Sequence, residues 1–198
     1  MAQKQHVQIE RKLHQRRRLL REWATPGAVY VPFIGDGDIA EEIYADRRIF
    51  GADIDPARVE EASSRLHGRI IVADCDQWPF PGEQTPFAVA DFDAYTYPYH
   101  SFRAFWCSAK KQDLMVLFFT DTVKQAVKRS GHVHNPDGST YELPALPSRR
   151  RSEVYNSWFS RHIWPWFETY IQPYRVLDRH RYLRQDTVYW GAVIRRER

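Results

Sequence analysis

The stretch VYVPFIGDGDIA, residues 29–40, decides how the whole sequence is interpreted. An apolar run typical of a buried strand leads into a turn that holds two glycines and two aspartates. Read as G-x-G-x-x-A, with Gly35, Gly37 and Ala40 in the fixed positions, the turn fits a dinucleotide-binding loop that holds a pyrophosphate. The carboxylates of Asp36 and Asp38 would repel such a phosphate, so the turn favours a cationic ligand.

Apolar runs and helical patterns alternate on either side of this turn. The predicted strands are 28–33, 48–54, 69–74, 87–92 and 113–120, and a hairpin is predicted over 174–184 and 187–196. Apolar strands separated by helices indicate a parallel sheet that is buried on both faces. We therefore expect an α/β, Rossmann-like fold. Its seven-stranded sheet should be mostly parallel, with a C-terminal antiparallel hairpin and one reversed strand at an edge.

Charge divides the 198-residue chain into three parts. Residues 1–22 carry seven Lys and Arg against two Glu, and residues 147–198 carry 11 Lys and Arg against five acids. The part between them is acidic. A solvated helix or tail explains either basic run alone equally well. Two arginine-rich runs, the second with interleaved aromatic residues, together favour nucleic acid as a partner.

Other features limit the class of protein. No apolar run is long enough for a membrane span and no signal peptide is visible, so we expect a cytoplasmic protein without membrane contact. The two cysteines form no C-x-x-C pair. His132 and His134 lie in a turn-rich segment without a third ligand at a recognisable spacing, so no metal is expected.

The order and spacing of the glycine turn and two later acids resemble the class I S-adenosylmethionine (SAM) dependent methyltransferases. PFIGDG is similar to the turn of the amino-methyltransferases, and FGADIDPARVEEA and VADCDQWPF contain the ends of the second and third strands. Asp55 is predicted to cap the helix that follows the second strand. SAM is cationic and has no phosphate, which suits the acidic turn. The resemblance implies that Asp53 binds the ribose and Asp74 the adenine amine. The implied cofactor-binding residues are Pro32, Phe33, Gly35, Asp36, Gly37, Asp53, Ile54, Asp74, Cys75 and Asp91.

The fourth strand ends in DFDAYTYPYHSF, residues 91–102, where amino-methyltransferases carry [D/N/S]-P-P-[Y/F/W]. It is more similar to the D-x-D-P-Y-G-x-P of the tRNA guanine-N2 dimethyltransferases, from which Ala94 and Thr96 depart. The resemblance implies that Asp93 accepts hydrogen bonds from a target amine and that an aromatic ring stacks on the base. The implied catalytic residues are Asp93, Asp91 and Tyr95. The candidate substrate-binding residues are Tyr97, Tyr99, Arg149, Arg150, Arg151 and Trp158.

These features predict a SAM-dependent N-methyltransferase that acts on a base of a nucleic acid, with RNA favoured over DNA. Residues 1–24 are expected to form a basic N-terminal helix and 25–198 a single methyltransferase domain, with 131–170 as a substrate-side insertion or lid. Three alternatives stay open: a small-molecule methyltransferase, a protein methyltransferase, and a non-catalytic nucleic-acid-binding module on the same fold.

Overall fold

A computed structural model describes residues 2–23, 26–94, 97–122, 127, 131–142, 147–184 and 187–198. The side chains of residues 2–9, 11, 148, 149, 152, 183 and 184 lie outside this description. The first half of the chain forms α1 (Ala2–Trp23), β1 (Ala28–Pro32), α2 (Asp38–Tyr44), β2 (Ile49–Asp53), α3 (Pro56–Arg65), β3 (Gly68–Val72) and β4 (Phe87–Phe92). The second half forms α4 (Tyr99–Ser108), β5 (Lys111–Asp121), β6 (His132–His134), β7 (Thr140–Glu142), α5 (Ser148–Trp158), a π-helical turn (Phe159–Ile163), α6 (Trp164–Tyr170), β8 (Tyr174–Arg184) and β9 (Thr187–Arg196).

Seven strands form one sheet in the order β3-β2-β1-β4-β5-β9-β8. The pairs from β3 to β5 are all parallel, whereas β9 is antiparallel to both β5 and β8. This arrangement confirms the α/β fold, the five parallel strands and the C-terminal hairpin. The expected position of the reversed strand was wrong. The hairpin inserts β9 beside β5, and β8 forms the edge.

The sheet carries a separate apolar layer on each face. The layer under α1, α2 and α3 contains Leu19, Tyr44, Ala62 and Val193. The opposite layer, under α4, α5 and α6, is mainly aromatic, and the Trp190 ring stacks on Phe119 with a centroid distance of 3.9 Å. Both faces of the sheet are therefore covered, as the continuous apolar strands predict.

The N-terminal helix α1 belongs to the domain and is not a separate basic helix. Leu13 and Leu19 are buried, and Gln15 donates a hydrogen bond to the carbonyl of His180 on β8. Within the described ranges, no helix is both long and apolar enough to cross a membrane.

The expected insertion at 131–170 separates into two parts. The short hairpin of β6 and β7 forms its own two-stranded sheet. The helical part that follows packs Phe159, Ile163 and Phe167 into the aromatic layer, where all three are at most 1% exposed. Because of this packing, α5, the π turn and α6 form a layer of the domain. The prediction of a lid now applies only to the β6–β7 hairpin.

Candidate functional site

A cleft of about 360 Å³ opens at the edge of the sheet where the parallel strands end. The turn that follows β1 forms one wall, and Asp91 and Asp93 at the end of β4 form another. Lys12 from α1 and Tyr189 from β9 complete the cleft. Ligands of open α/β sheets bind at this edge, so the cleft is the candidate functional site.

The glycine turn has the backbone geometry that its sequence requires. Gly35 and Gly37 have φ angles of 57° and 89°, which side chains disfavour. A side chain placed at Gly35 would meet no atom within 4 Å, whereas at Gly37 it would meet Leu66 and Ala62 of the α3 region. Gly37 therefore allows helix packing, and Gly35 leaves open space in front of the turn.

Phe33 also has a positive φ, of 61°, although it is not glycine. Its backbone N–H donates to the Cys75 Sγ at 3.3 Å. This hydrogen bond joins the turn after β1 to the loop after β3. Burial raises the pKa of the Cys75 thiol to about 12, which keeps it protonated at neutral pH. Pro32 is the last residue of β1 and is buried.

The acids of the turn have cationic partners within the chain. Asp38 accepts a hydrogen bond from Arg65 of α3 at 2.9 Å, and Asp36 lies 3.8 Å from Arg58. Both carboxylates are exposed. Each arginine also pairs with another acid, Arg58 with Asp55 and Arg65 with Glu41, so these cations offset only part of the negative charge around the turn.

Asp53 lies at the end of β2 with its carboxylate facing the glycine turn. It accepts hydrogen bonds from the backbone N–H groups of Gly35 and Asp55, both at 3.0 Å. A carboxylate has about four acceptor positions, so two remain for a ligand. The next residue, Ile54, has 75% of its surface exposed, which leaves an apolar side chain beside the acid.

Two other acids near these strands act in local turns. Asp55 caps α3 by accepting from the Ala57 N–H at 3.0 Å, as predicted. Asp74 is exposed and accepts from the Asp76 N–H at 2.9 Å. Its predicted contact with adenine stays a prediction.

Asp91 is held by two partners in the interior. Arg16 of α1 donates two hydrogen bonds to its carboxylate, at 2.6 and 2.5 Å, and Tyr44 donates a third at 2.8 Å. The side chains of Arg16 and Asp91 are each only 1% exposed. This burial gives Asp91 a structural role, and its contact with cofactor or substrate stays a prediction.

Asp93 lies two residues further along and reaches the cleft. The ammonium of Lys12 contacts its two carboxylate oxygens at 2.6 and 2.8 Å, and Arg16 lies 3.9 Å away. Burial alone would raise the pKa of Asp93, but the charges of Lys12 and Arg16 outweigh it and lower the pKa below its ordinary value. We call these four charged side chains, Lys12, Arg16, Asp91 and Asp93, the acid corner.

Lys12 and Arg16 were missed by the sequence analysis. The run Arg16-Arg17-Arg18 appeared to interrupt the apolar side of α1, although Arg16 is among the largest fully buried side chains. The spacing of these residues in the sequence could have identified them. Lys12 and Arg16 are four residues apart on one helix face, and Asp91 and Asp93 end one strand with charges that need partners.

The predicted tyrosines have different environments. Tyr95 lies outside the described residues. Tyr97 is half-buried and donates a hydrogen bond to the carbonyl of Asn135 beside the β6–β7 hairpin. Tyr99 is fully buried and, with Tyr155, donates to the Asp121 carboxylate at 2.8 and 2.6 Å. Tyr99 therefore braces α4 against β5, which corrects its assignment to substrate binding.

Of the predicted arginine cluster and its tryptophan, the described side chains of Arg150, Arg151 and Trp158 do not line the cleft. Trp158 is 8% exposed and stacks on Tyr155 in the aromatic layer, so it is a packing residue. Arg150 is exposed on α5, Arg151 approaches Gly131, and the side chain of Arg149 is outside the described set. Among the residues with described positions, no three His, Cys, Asp or Glu side chains are grouped to hold a metal ion.

Comparison with known proteins identifies similar folds among solved structures. No protein-family model and no curated protein sequence matches the chain. Among solved structures, the N-methyltransferase NodS from Bradyrhizobium japonicum WM9, in complex with S-adenosyl-L-homocysteine (SAH), is similar. Its TM-score is 0.59 at 15% identity, over 96% of this chain and 87% of NodS.

A second similar structure is the plantazolicin methyltransferase BpumL in complex with SAH. Its TM-score is 0.58 at 10% identity, over 96% of this chain and 83% of BpumL. These identities are low, but the coverage includes nearly the whole sheet and both helical layers. The chain therefore has the fold of the class I SAM-dependent methyltransferases.

Proposed function

We propose that this chain is a SAM-dependent methyltransferase that transfers a methyl group to an amine nitrogen of a nucleic acid base, with RNA favoured over DNA. The observation that carries the proposal is that one cleft joins the glycine turn at Gly35–Gly37 to the carboxylate of Asp93. A methyl donor at the turn and an amine at Asp93 would then share one cavity.

The residues around the turn fit SAM. Asp53 has two unused acceptor positions for ribose hydroxyls, and the exposed Ile54 can pack against an adenine ring. The open space at Gly35 allows a ligand to approach the backbone closely. SAM, when bound, supplies a methyl carbon that is already activated by a positive sulfur. The protein then mainly has to align the acceptor nitrogen.

The acid corner favours an uncharged acceptor. Its two cations and two carboxylates are matched, so no unpaired negative charge is left for a protonated amine. Removing the charge of an alkylammonium from water without a counter-charge is costly. The exocyclic amine of a base is neutral, and its N–H can donate to a remaining lone pair of Asp93. The partial match of residues 91–98 to the tRNA guanine-N2 dimethyltransferase motif supports an RNA base.

A second candidate is N-methylation of a small molecule. Its support is the position of α1, which brings Lys12 across the acceptor side of the cleft and narrows it. Two structural neighbours are named as an N-methyltransferase and a plantazolicin methyltransferase, which agrees with a small or peptidic substrate. This candidate gives no reason for the unmatched arginines described below.

The first experiment is calorimetric titration with SAH, with NADH as the control ligand. We expect SAH to bind and NADH not to bind. Asp53→Ala should weaken SAH binding by about 1–3 kcal/mol because ribose acceptors are lost. The matched control is Asp113→Ala, which removes an exposed carboxylate near the opposite end of β5. Unchanged SAH affinity in Asp53→Ala would overturn the assignment of the cofactor site.

The second experiment measures transfer of a radiolabelled methyl group from SAM to tRNA, rRNA, DNA and small amines. We expect label in nucleic acid, and loss of transfer in Asp93→Asn with SAH affinity retained. Label in small amines alone would favour the second candidate. SAH binding without any transfer would favour a non-catalytic module.

A further inference from the structure

A second groove, of about 320 Å³, lies between the π turn and the edge strand β8. Its floor is Trp190 of β9, whereas the next residue back, Tyr189, lines the cleft. Successive residues of a strand point to opposite faces of a sheet. The groove is therefore on the α5–α6 face, and the cleft is on the α1 face.

Two arginines of β8 form the wall of this groove and are held against aromatic rings. The Arg179 guanidinium lies 4.8 Å from the centroid of Trp164, and that of Arg181 lies 5.3 Å from the centroid of Phe159. Arg181 also donates to the Ser160 hydroxyl at 2.9 Å. These contacts fix the planes of two guanidinium groups that remain exposed to solvent.

Within the part of the chain that the structure describes, the arginines of the groove make no ion pair, although the Glu168 carboxylate accepts a hydrogen bond from the Trp164 indole at 2.9 Å. No carboxylate of the described residues lines the groove. Guanidinium forks match the geometry of phosphate, and planar guanidinium or aromatic faces accept a stacked base. The groove thus combines the two chemistries that a nucleotide presents.

We propose that this groove, formed by Arg179, Arg181, Phe159, Ser160 and Trp164, binds a phosphate and base of the nucleic acid substrate away from the methyl-transfer cleft. This inference rests on the proposed function. β8 runs parallel to β5, so its end at Arg184 lies at the same edge of the sheet as the cleft. Arg181 is three residues from that end, or about 10 Å. A strand of nucleic acid that passes around this edge reaches both sites.

The test is fluorescence anisotropy with labelled single-stranded RNA and DNA oligonucleotides at two salt concentrations. The groove variant is R179E/R181E. The matched control is R175E/R195E, which makes the same charge change at exposed positions of β8 and β9 outside the groove. We expect the groove variant to bind about tenfold more weakly or worse, with a shallower salt dependence, and the control to change by less than about threefold. Thermal melting and SAH affinity of both variants check that the fold is retained.

Competition with AMP and with inorganic phosphate separates the possible sources of the phosphate. We expect either competitor to displace the oligonucleotide only weakly. Binding of AMP that depends on Arg179 and Arg181, without binding of any oligonucleotide, would overturn the nucleic acid assignment of the groove.

The outcomes for the groove and for the proposed function are distinguishable. If the wild-type protein methylates nucleic acid but the groove variant binds like the control, the groove inference alone is wrong. If the wild-type protein binds SAH and methylates only small amines, the nucleic acid function is wrong and the groove inference fails with it.

Discussion

Two arginines of α1 and two of β8, from the two parts of the sequence with net positive charge, have opposite environments. On α1, Arg16 is buried against Asp91 and Arg17 pairs with Glu42. On β8, Arg179 and Arg181 lie against aromatic rings without a carboxylate partner within the described ranges. A count of arginines therefore does not identify a surface for nucleic acid. What matters is whether carboxylates of the same protein already neutralise them.

The largest expected effect comes from breaking the buried pair. Arg16→Met should lower the free energy of unfolding by about 3–5 kcal/mol, because Asp91 and the Tyr44 hydroxyl would remain buried without their cation. Urea unfolding measures the change. The control, R16M/D91L/Y44F, removes the whole polar set and should recover much of the loss. A loss below 1 kcal/mol for Arg16→Met would mean that Arg16 is not buried in this way.

Lys12→Met tests the more accessible half of the acid corner. It should cost about 1–2 kcal/mol of stability, since the charge-assisted hydrogen bonds to Asp93 are lost from a site that is only 18% exposed. It should also leave one unpaired negative charge in the cleft. We expect the ratio of kcat/KM for cationic amines to that for neutral base amines to rise. A fall in that ratio, or no change, would contradict the selection of uncharged acceptors.

The pair of Lys12 and Asp93 also predicts how the free energy of unfolding changes at acidic pH. The pKa of Asp93 is lowered in the folded protein, so its contribution to stability is fully present above the ordinary value of about 3.8. That contribution is lost as the pH falls through the lowered pKa. The stability difference between wild type and Lys12→Met should therefore be constant near neutral pH and shrink below pH 4. Denaturant titrations at several pH values measure it, and a difference that grows in acid would contradict the pairing.

The smallest effect is expected for Arg17→Ala. Arg17 and Glu42 are both 51% exposed, so their ion pair should contribute less than about 0.5 kcal/mol. Oligonucleotide affinity should change less than twofold, because Arg17 is matched by a carboxylate. An effect on affinity as large as that of the β8 arginines would remove the distinction between the two regions.

Most of the fold could be predicted because local patterns agree with it. The strand at 87–92 and the hairpin strands at 174–184 and 187–196 have the predicted bounds, and Asp55 caps α3 as expected. The position of β9 in the sheet was harder to predict, since sequence patterns define which residues form a strand but not which neighbour that strand pairs with.

The candidate site was predicted only in part. The glycine turn and Asp53 are recognisable because their chemistry is local to one turn and one strand end. The partners of Asp91 and Asp93 come from residues about 80 positions away, and a buried arginine resembles an exposed one in sequence. The same limit applies to Tyr99, whose burial depends on Asp121 and Tyr155. The β8 groove depends on two elements meeting in space.

The position of β9 has a consequence for how the protein folds during synthesis. β8 leaves the ribosome before β9, yet β9 separates it from β5 in the sheet. Until β9 emerges, β8 has no neighbour, and the edge of β5 is open. A nascent chain therefore exposes an apolar, unpaired strand edge until β9 has been synthesised, and such an edge can aggregate unless a chaperone covers it.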